Sequence, residues 1–165
     1  MNNVKDLQTI EETLKYLQFD NWEQSAPGLA RSRELLGLLG NPEQKLKFVH
    51  IAGTNGKGST AAMLASVLTA AGYRTGLFTS PHLQDFRERI RVDGEMIPKQ
   101  KVVNFVDKHH DKMVELELSF FEMTAAMAFD YFAQSDVEVA VIETGLGGRL
   151  DATNIIVPIL SVITN

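Results

Sequence analysis

The stretch Phe48-Val-His-Ile-Ala-Gly-Thr-Asn-Gly-Lys-Gly-Ser-Thr60 predicts a buried strand that runs through a glycine-rich turn into a helix. Its glycines lack the Cβ that would keep a triphosphate away from the backbone. Successive N–H groups and the helix N-terminus can therefore bind anionic oxygens. Lys57 adds a mobile positive charge, and the hydroxyl of Ser59 or Thr60 suits a phosphate-bound magnesium ion. The stretch predicts a phosphate cradle.

The cradle departs from the common Walker pattern at two positions. Ile51 stands where that pattern has its first glycine, and Gly58 follows Lys57 where the pattern has serine or threonine. The alternative interpretation is a tight strand-to-helix turn that uses glycines for geometry alone. Because a lysine lies in the middle of the glycines, we favour a nucleotide phosphate site.

Composition limits the class of protein. The chain has 165 residues, of which 44% are hydrophobic and 22% charged, as expected for one globular domain with a substantial core. It has no cysteine, which excludes disulfides, a thiolate zinc site and a cysteine nucleophile. The formal net charge of −5 argues against a broad nucleic-acid surface. The sequence shows neither an apolar run of membrane-spanning length nor a signal peptide, so we expect a cytoplasmic protein.

The remaining pattern predicts an α/β fold, a mostly parallel sheet flanked by helices. Apolar spacing indicates helices at 4–19, 29–39, 99–117 and 119–134, and strands at 74–79, 137–142 and 159–164. Asp93-Gly94 suits a type I′ hairpin turn. Spacing alone favours the two N-terminal helices as a cover for the sheet over the wall of a substrate pocket. Arg87, Arg89 and Arg91 could hold carboxylates or phosphates, but alternating charges of this kind favour a solvated, exposed ribbon.

Three further positions carry side chains that could take part in binding or catalysis. The segment Thr79-Ser-Pro-His82 follows a strand at the sheet edge where open α/β sheets bind ligands, although His82 is equally compatible with an ordinary loop histidine. Glu122 lies in the first turn of an otherwise apolar helix, where a carboxylate can face a pocket, and Ser119 suits the cap of that helix. The adjacent pair His109 and His110 does not suit a metal site, since adjacent helical residues point in different directions.

The second informative stretch is Glu143-Thr-Gly-Leu-Gly-Gly-Arg-Leu-Asp-Ala-Thr-Asn154. A carboxylate at the carboxyl end of a buried strand, followed by glycines, is typical of nucleoside triphosphatases that hold a magnesium ion or a water there. We therefore expect Glu143 beside the phosphate cradle, with Arg149 and Asp151 extending the polar set toward a substrate. The alternative is a glycine-rich connector with a solvent-facing acid. The chain ends directly on a strand without a covering helix, which predicts a fragment of a longer polypeptide.

Several motifs together resemble the folylpolyglutamate synthase and dihydrofolate synthase family, within the Mur ligase superfamily. They are Ala52-Gly-Thr-Asn-Gly-Lys-Gly-Ser59, Thr79-Ser-Pro-His-Leu83, Glu88-Arg-Ile90 and the run from Glu143 to Asn154. The Lys-Gly-Ser form and the Gly-Gly-Arg-Leu-Asp-Ala-Thr-Asn run favour the folate branch over the cell-wall branch. The resemblance extends over almost the whole chain. It implies a P-loop NTPase-like Mur ligase central domain, with residues 1–165 as an incomplete N-terminal ATP-binding domain.

The resemblance implies an ATP-dependent ligase with Mg²⁺. Such an enzyme transfers the γ-phosphoryl group of ATP to a folate or dihydropteroate carboxylate, and L-glutamate attacks the acyl phosphate. It implies Lys57 as the catalytic cation and Ser80 and Glu143 as metal ligands. It implies a nucleotide site of Thr54, Asn55, Gly56, Lys57, Gly58, Ser59 and Thr60. It implies a substrate site of Pro27, Gly28, Ser119, Phe120, Phe121, Glu122, Leu150, Asp151 and Ala152, which would make the N-terminal helices part of the pocket.

The resemblance also implies features outside residues 1–165. These are an aspartate–histidine pair at the metal, a carbamylated lysine and a separate C-terminal domain, so we expect little ligase activity from this chain alone. We expect a full-length monomer that binds neither nucleic acid nor a membrane. Three alternatives remain at this stage: a phosphate-loop ATPase or kinase without ligase activity, a Mur-type cell-wall amino-acid ligase, and a non-catalytic folding or interaction fragment.

Overall fold

The computed structural model describes residues 12, 13 and 29–165. Most of the helix predicted at 4–19 therefore lies outside the described residues, although Glu12 and Thr13 are helical. The predicted substrate residues Pro27 and Gly28 also lie outside them.

The described chain alternates helices and strands as the periodicity predicts. The helices are α1 (Ala30–Leu38), α2 (Lys57–Ala70), α3 (Lys99–Glu115) and α4 (Phe120–Gln134), with short 3-10 turns at Pro42–Lys45 and Phe86–Arg89. The strands are β1 (Lys47–Ala52), β2 (Thr75–Phe78), β3 (Ile90–Val92), β4 (Glu95–Met96), β5 (Val139–Glu143) and β6 (Leu160–Ile163). Each predicted element from 29 onward is present, with boundaries shifted by a few residues.

The six strands form one sheet in the order β4-β3-β2-β5-β1-β6. The pairs β2–β5, β5–β1 and β1–β6 are parallel, and the β3–β4 hairpin joins the β2 edge antiparallel. Strands β1 and β2 are consecutive in the chain, yet β5 lies between them. This order brings the carboxyl ends of β1, β2 and β5 to one edge, where a mostly parallel sheet binds its ligands.

Alternating side chains of the central strands divide the core between the two faces of the sheet. Phe48 faces α4 and meets Phe129 edge-on, with ring centroids 5.6 Å apart. Val49 and Ile51 face the other side and pack with Ala61 of α2. Helix α4 is buried on most of its circumference, as its hydrophobic composition predicts.

One prediction about an exposed surface needs correction, and one helix packs in an unexpected way. Helix α2 packs against the sheet through Ala61 and Ala65, while Met63 and Val67 are 63% and 64% exposed. Small side chains let the helix approach the strands closely, which turns the larger ones outward. Arg89 was expected to be solvated, yet it is only 8% exposed.

The β3–β4 turn has the predicted geometry. Asp93 and Gly94 both have positive φ, 51° and 85°, as a type I′ turn requires. At the opposite edge of the sheet, Leu160 and Ile163 of β6 and the preceding Ile159 are more than half exposed. Within residues 29–165 no helix is long and apolar enough to cross a lipid bilayer.

Candidate nucleotide and substrate site

The phosphate cradle connects β1 to α2 in a conformation that needs glycine. Gly53 has φ of 137°, and a Cβ there would lie 2.7 Å and 2.9 Å from the backbone oxygen and nitrogen of Thr164. Gly56 has φ of 79° and directly precedes α2. Lys57 begins the helix, and its ammonium group donates to the carbonyl oxygen of Gly53 at 2.9 Å. The lysine thus spans the loop, and the first N–H groups of α2 have no acceptor inside the helix.

Glu143 lies beside the cradle, as predicted. It is the last residue of β5 and pairs with Ile51 of β1, the strand that leads into the loop. Its carboxylate lies 3.5 Å from the point that a Cβ on Gly58 would occupy. The same carboxylate accepts a hydrogen bond of 2.9 Å from the backbone N–H of Ser80. The cradle, Glu143 and the loop after β2 therefore meet at one place.

The Glu143 carboxylate is buried and electrostatically unusual. Only 4% of the residue is exposed, and burial raises the pKa of Glu143, while the Ser80 N–H and the Lys57 charge lower it. A buried carboxylate whose one hydrogen-bond donor among the described residues is the Ser80 N–H fits a divalent cation. Within the described residues no group of three or more His, Asp or Glu side chains is placed to hold a metal ion by itself. Magnesium commonly binds one or two protein oxygens together with nucleotide phosphates, so Glu143 and the Ser80 hydroxyl suit that ion.

A cavity of about 610 Å³ opens next to this junction. Every described residue of the predicted substrate set lines it, and so does Ser80. The cavity is lined by Arg31, Ser80, Pro81, Arg89, Ser119, Phe120, Phe121, Glu122, Gly145, Leu146, Leu150, Asp151 and Ala152. The structure thus brings together segments that are far apart in sequence, and ligand binding by them stays a prediction. Arg149 is exposed and is not among the lining residues, contrary to the expected polar extension.

Glu122 faces the cavity but already has several partners. It forms a capping box with Ser119, whose backbone N–H and hydroxyl both donate to its Oε2. Arg31 of α1 forms an ion pair with the same oxygen at 3.2 Å. The Ser32 hydroxyl donates to Oε1 at 3.4 Å. Glu122 therefore ties α1 to the start of α4 and fixes one wall of the cavity, a role consistent with the predicted cap.

Asp151 shapes the glycine-rich loop that forms the opposite wall. Its Oδ2 accepts hydrogen bonds from the N–H groups of Gly145 and Leu146, at 2.8 Å and 2.9 Å. Its Oδ1 accepts from the N–H and the hydroxyl of Thr153. With four donors bound, the carboxylate mainly stabilises the conformation of its own loop.

A buried chain of hydrogen bonds connects this loop to the cradle strand. The Thr153 hydroxyl, which donates to Asp151, lies 2.8 Å from Nε2 of His50 on β1. Since that hydroxyl proton is already donated, Nε2 is the donor to Thr153, which fixes the tautomer of His50. Burial lowers the pKa of His50, and Asp151 partly opposes this. Sequence reasoning missed His50 because it reads as one residue of an apolar strand.

We expect His50 to make stability depend on pH. A lowered pKa in the folded protein means that stability is fully present above the ordinary histidine pKa of about 6.5 and is lost as pH falls through the folded value. His50→Gln keeps a donor toward Thr153 but cannot titrate. Urea unfolding at pH 7.5 and pH 5.5 should show a smaller loss for this variant than for the native chain. Equal losses in both proteins would contradict the assignment.

We expect Gly145 to tolerate no side chain. A Cβ there would lie 2.5 Å to 2.9 Å from three atoms of the Phe121 ring, which lines the cavity. Gly145→Ala should lower the free energy of unfolding by about 1–3 kcal/mol, since the ring or the loop must move. Gly148→Ala is the matched control, because a Cβ at Gly148 meets nothing within 4 Å. Urea denaturation of both variants measures the difference, and equal stabilities would refute the steric argument.

The structure places two arginines in the cavity wall. Arg31 was not singled out from the sequence, and for Arg89 a solvated ribbon was favoured over a role in holding carboxylates or phosphates. Arg31 and Arg89 both line the cavity, and Arg89 also packs over the Phe120 ring with its Cζ 5.2 Å from the ring centroid. The sequence feature that could have indicated burial of Arg89 is its place between the apolar residues Phe86 and Ile90, both of which are buried. The charged residues that alternate around it favoured an exposed ribbon instead.

Known proteins are similar to this chain in sequence and in fold. No known family profile matches the chain. The probable bifunctional folylpolyglutamate synthase/dihydropteroate synthase of Haloferax volcanii is 46% identical over 147 residues, covering 86% of this chain and 18% of that protein. The dihydrofolate synthase/folylpolyglutamate synthase of Bacillus subtilis is 45% identical over 146 residues, covering 84% of this chain and 34% of that protein.

Solved structures with a similar fold have names of the same kind as these sequence relatives. Folylpolyglutamate synthase of Mycobacterium tuberculosis complexed with ADP has a TM-score of 0.87 at 40% identity, covering 93% of this chain and 36% of that one. A complex of the same kind of synthase with AMPPCP and folate has a TM-score of 0.87 at 40% identity, with 94% and 40% covered. The bifunctional enzyme of Yersinia pestis with AMPPNP and manganese has a TM-score of 0.88 at 32% identity, with 95% and 38% covered.

The chain therefore spans well under half the length of these relatives. Its mostly parallel sheet with flanking helices is the fold that they have over the aligned segment, which confirms the predicted fold class. Identity of 40% to 46% with the relatives from Haloferax volcanii, Bacillus subtilis and Mycobacterium tuberculosis extends over most of the chain, and the fold is similar to that of the solved structures. The chain is a homologue of a segment of the folylpolyglutamate and dihydrofolate synthases.

Proposed function

We propose that this chain is the nucleotide-binding part of an ATP-dependent ligase that joins L-glutamate to a folate or dihydropteroate carboxylate through an acyl phosphate. The cradle around Lys57 would hold the triphosphate. Ser80 and Glu143 would hold Mg²⁺, and the cavity would hold the pterin-linked acid. The names of the relatives and the ligands of their solved structures, which include ADP, AMPPCP with folate, and AMPPNP with manganese, support this assignment.

One observation carries the proposal: the position of the Glu143 carboxylate. It lies next to the cradle, 3.5 Å from where a Cβ on Gly58 would be, and it accepts from the N–H of Ser80, a cavity residue. A ligand in the cavity and a triphosphate on the cradle would thus have their reactive ends near the same carboxylate. A transfer between two substrates needs this arrangement, whereas simple hydrolysis of ATP needs no second cavity.

The protein groups suit phosphoryl transfer, which depends on positioning and on charge neutralisation more than on covalent help. The N–H groups at the start of α2 would orient the β- and γ-phosphates, and Lys57 would leave the Gly53 carbonyl to neutralise their charge. A bound magnesium ion supplies further charge neutralisation at the transferred group. The aromatic rings of Phe120 and Phe121, both cavity residues, would pack against a planar heterocycle and exclude water.

Thermal unfolding with ligands tests the proposal, because a ligand that binds only the native state raises its stability. Mg-ATP and pteroate are added separately and together. We expect each to raise the melting temperature and the pair to exceed either one. A shift by Mg-ATP alone that pteroate never changes would favour an ATPase or kinase, and no shift by either would leave a non-catalytic fragment.

The remaining partners belong to the same proposal. L-glutamate would be the amine substrate, and the enzyme would act as a cytoplasmic monomer without nucleic acid or membrane. A net charge of −5 supports this, since nucleic acids and anionic lipid surfaces bind clustered positive charge. Replacing the aligned segment of the Bacillus subtilis relative with this chain and measuring glutamate-dependent ADP release tests the reaction itself. ADP release at the same rate with and without glutamate would refute the proposed reaction.

A further inference from the structure

Arg89 is a buried cation at the wall of the cavity. Arg89 is 8% exposed, and two neighbouring side chains contact its guanidinium. Nε donates to Nδ1 of His82 at 2.8 Å, and Cζ lies 5.2 Å from the centroid of the Phe120 ring. In the part of the chain that the structure describes, no hydrogen bond involves the terminal amino groups of Arg89. The side chain is therefore fixed in place with donors to spare.

Within residues 29–165, Arg89 has no acidic partner. Its one side-chain hydrogen bond goes to a neutral imidazole nitrogen, and it takes part in none of the ion pairs. Burial alone lowers the pKa of Arg89, and no carboxylate opposes that effect. Buried charges in proteins are normally paired, because an isolated ion loses its hydration without compensation. The missing negative charge is one that a ligand can bring.

The other cavity arginine is in a different state. Arg31 forms an ion pair with Glu122 at 3.2 Å and donates to the carbonyl oxygen of Glu117 at 3.1 Å. Its charge is therefore already balanced by the protein. Of the two guanidinium groups in the cavity wall, Arg89 is the one whose charge the described protein leaves unbalanced.

Arg89 is bonded to the loop that carries Ser80. Its backbone oxygen accepts from the N–H of Thr79 at 3.0 Å, and its Nε donates to His82, so backbone and side chain both contact the segment around Ser80. Ser80 is in turn the residue whose N–H donates to Glu143. A group bound by Arg89 would thus lie on the side of the cavity that this loop forms.

We propose that Arg89 is the carboxylate-binding residue of the cavity. Its terminal amino groups hold the carboxylate of an aryl carboxylic acid, oriented toward the phosphate cradle. Two N–H groups of a fixed guanidinium match the two oxygens of a carboxylate in one plane. The identification of that acid as a pteroate rests on the proposed function, whereas the preference for a carboxylate follows from Arg89 itself. His82 acts as a positioning residue that sets the direction of the fork.

Ligands with and without the negative charge test the assignment. Calorimetric titration compares pteroate with its carboxamide, and 4-aminobenzoate with 4-aminobenzamide, on the native chain and on Arg89→Met. The native chain should prefer each carboxylate by about tenfold or more, as expected for charge-assisted hydrogen bonds. In Arg89→Met, which keeps an unbranched apolar stem against Phe120, the preference should disappear. Arg89→Lys should retain part of it.

Arg91→Met is the matched control, since Arg91 lies two residues further along and is not among the residues that line the cavity. It should keep the full carboxylate preference. A melting temperature and an Mg-ATP shift like those of the native chain would show that Arg89→Met is folded. A carboxylate preference that survives in folded Arg89→Met would overturn the inference and leave the proposed function intact.

Failure of the proposed function would give a different set of binding results. If neither form of pteroate binds the native chain, the proposed acid substrate is wrong, and the aminobenzoate pair then decides the role of Arg89. An Arg89-dependent preference for 4-aminobenzoate would support the carboxylate site on its own. Equal binding or no binding of that pair would overturn it.

Discussion

Replacing Lys57 with alanine is expected to weaken binding of ATP by about two orders of magnitude, the loss expected when a charge-assisted contact to phosphate is removed. The ammonium group donates to the carbonyl oxygen of Gly53 at 2.9 Å, so it is already held at the mouth of the cradle. A bound triphosphate would gain this cation at the cost of neutral hydrogen bonds to the carbonyl oxygens of Gly53 and Thr54. Calorimetric titration with Mg-ATP measures the loss.

Lys47→Ala is the control for this experiment. Lys47 is exposed at the start of β1, at the other end of the strand that leads into the cradle. Its removal changes the net charge by the same amount but leaves the loop intact. We expect its affinity for Mg-ATP to stay within a factor of about two of the native value, an effect of long-range charge that salt screens. Native-like binding by Lys57→Ala would show that the loop does not bind phosphate.

Glu143→Gln is expected to have opposite effects on binding and on stability. Without the carboxylate, Mg²⁺ should no longer strengthen nucleotide binding, because the ion loses its charged protein ligand. Without ligands, the variant should be more stable by roughly 1 kcal/mol, since functional sites commonly retain unfavourable groups. The physical cause is burial, which raises the pKa of Glu143 and disfavours its ionised form. The glutamine oxygen can still accept from the Ser80 N–H.

Two measurements separate these effects. Titration of a nonhydrolysable ATP analogue with and without Mg²⁺ should show a large magnesium effect in the native chain and little in Glu143→Gln. Urea unfolding without ligands should show the gain in stability. Glu138→Gln is the control at the exposed start of the same segment, and it should change neither result. An unchanged magnesium effect in Glu143→Gln would place the ion elsewhere.

Much of the nucleotide half of the site was predictable because its signals are local. Phe48 to Thr60 contains the strand, the turn glycines and the cation within one short segment, and the structure has each of them as predicted. The adjacency of Glu143 was predictable for a related reason, since the carboxyl ends of neighbouring parallel strands meet at one edge. No contact between distant segments had to be guessed beyond that rule.

The cavity was less predictable from the residues alone. Its walls come from α1, the loop after β2, the start of α4 and the glycine-rich loop, and family resemblance suggested most of the members. Arg89 was misjudged because alternating charges usually lie on exposed ribbons. In the fold, the ribbon packs under Phe120, and the guanidinium is buried there. Burial of a polar side chain depends on which element covers it.

The sequence by itself determined the class of fold, the order of the elements, the phosphate cradle and the acid at the tip of β5. These follow from hydrophobic period, turn chemistry and chain direction, which act over a few residues. Only the tertiary structure decided that β5 separates β1 from β2, that Thr153 connects His50 to Asp151, and that Arg89 lines the cavity without a counter-charge from residues 29–165. These depend on contacts between residues far apart in the chain, where strand order and burial choose the partners.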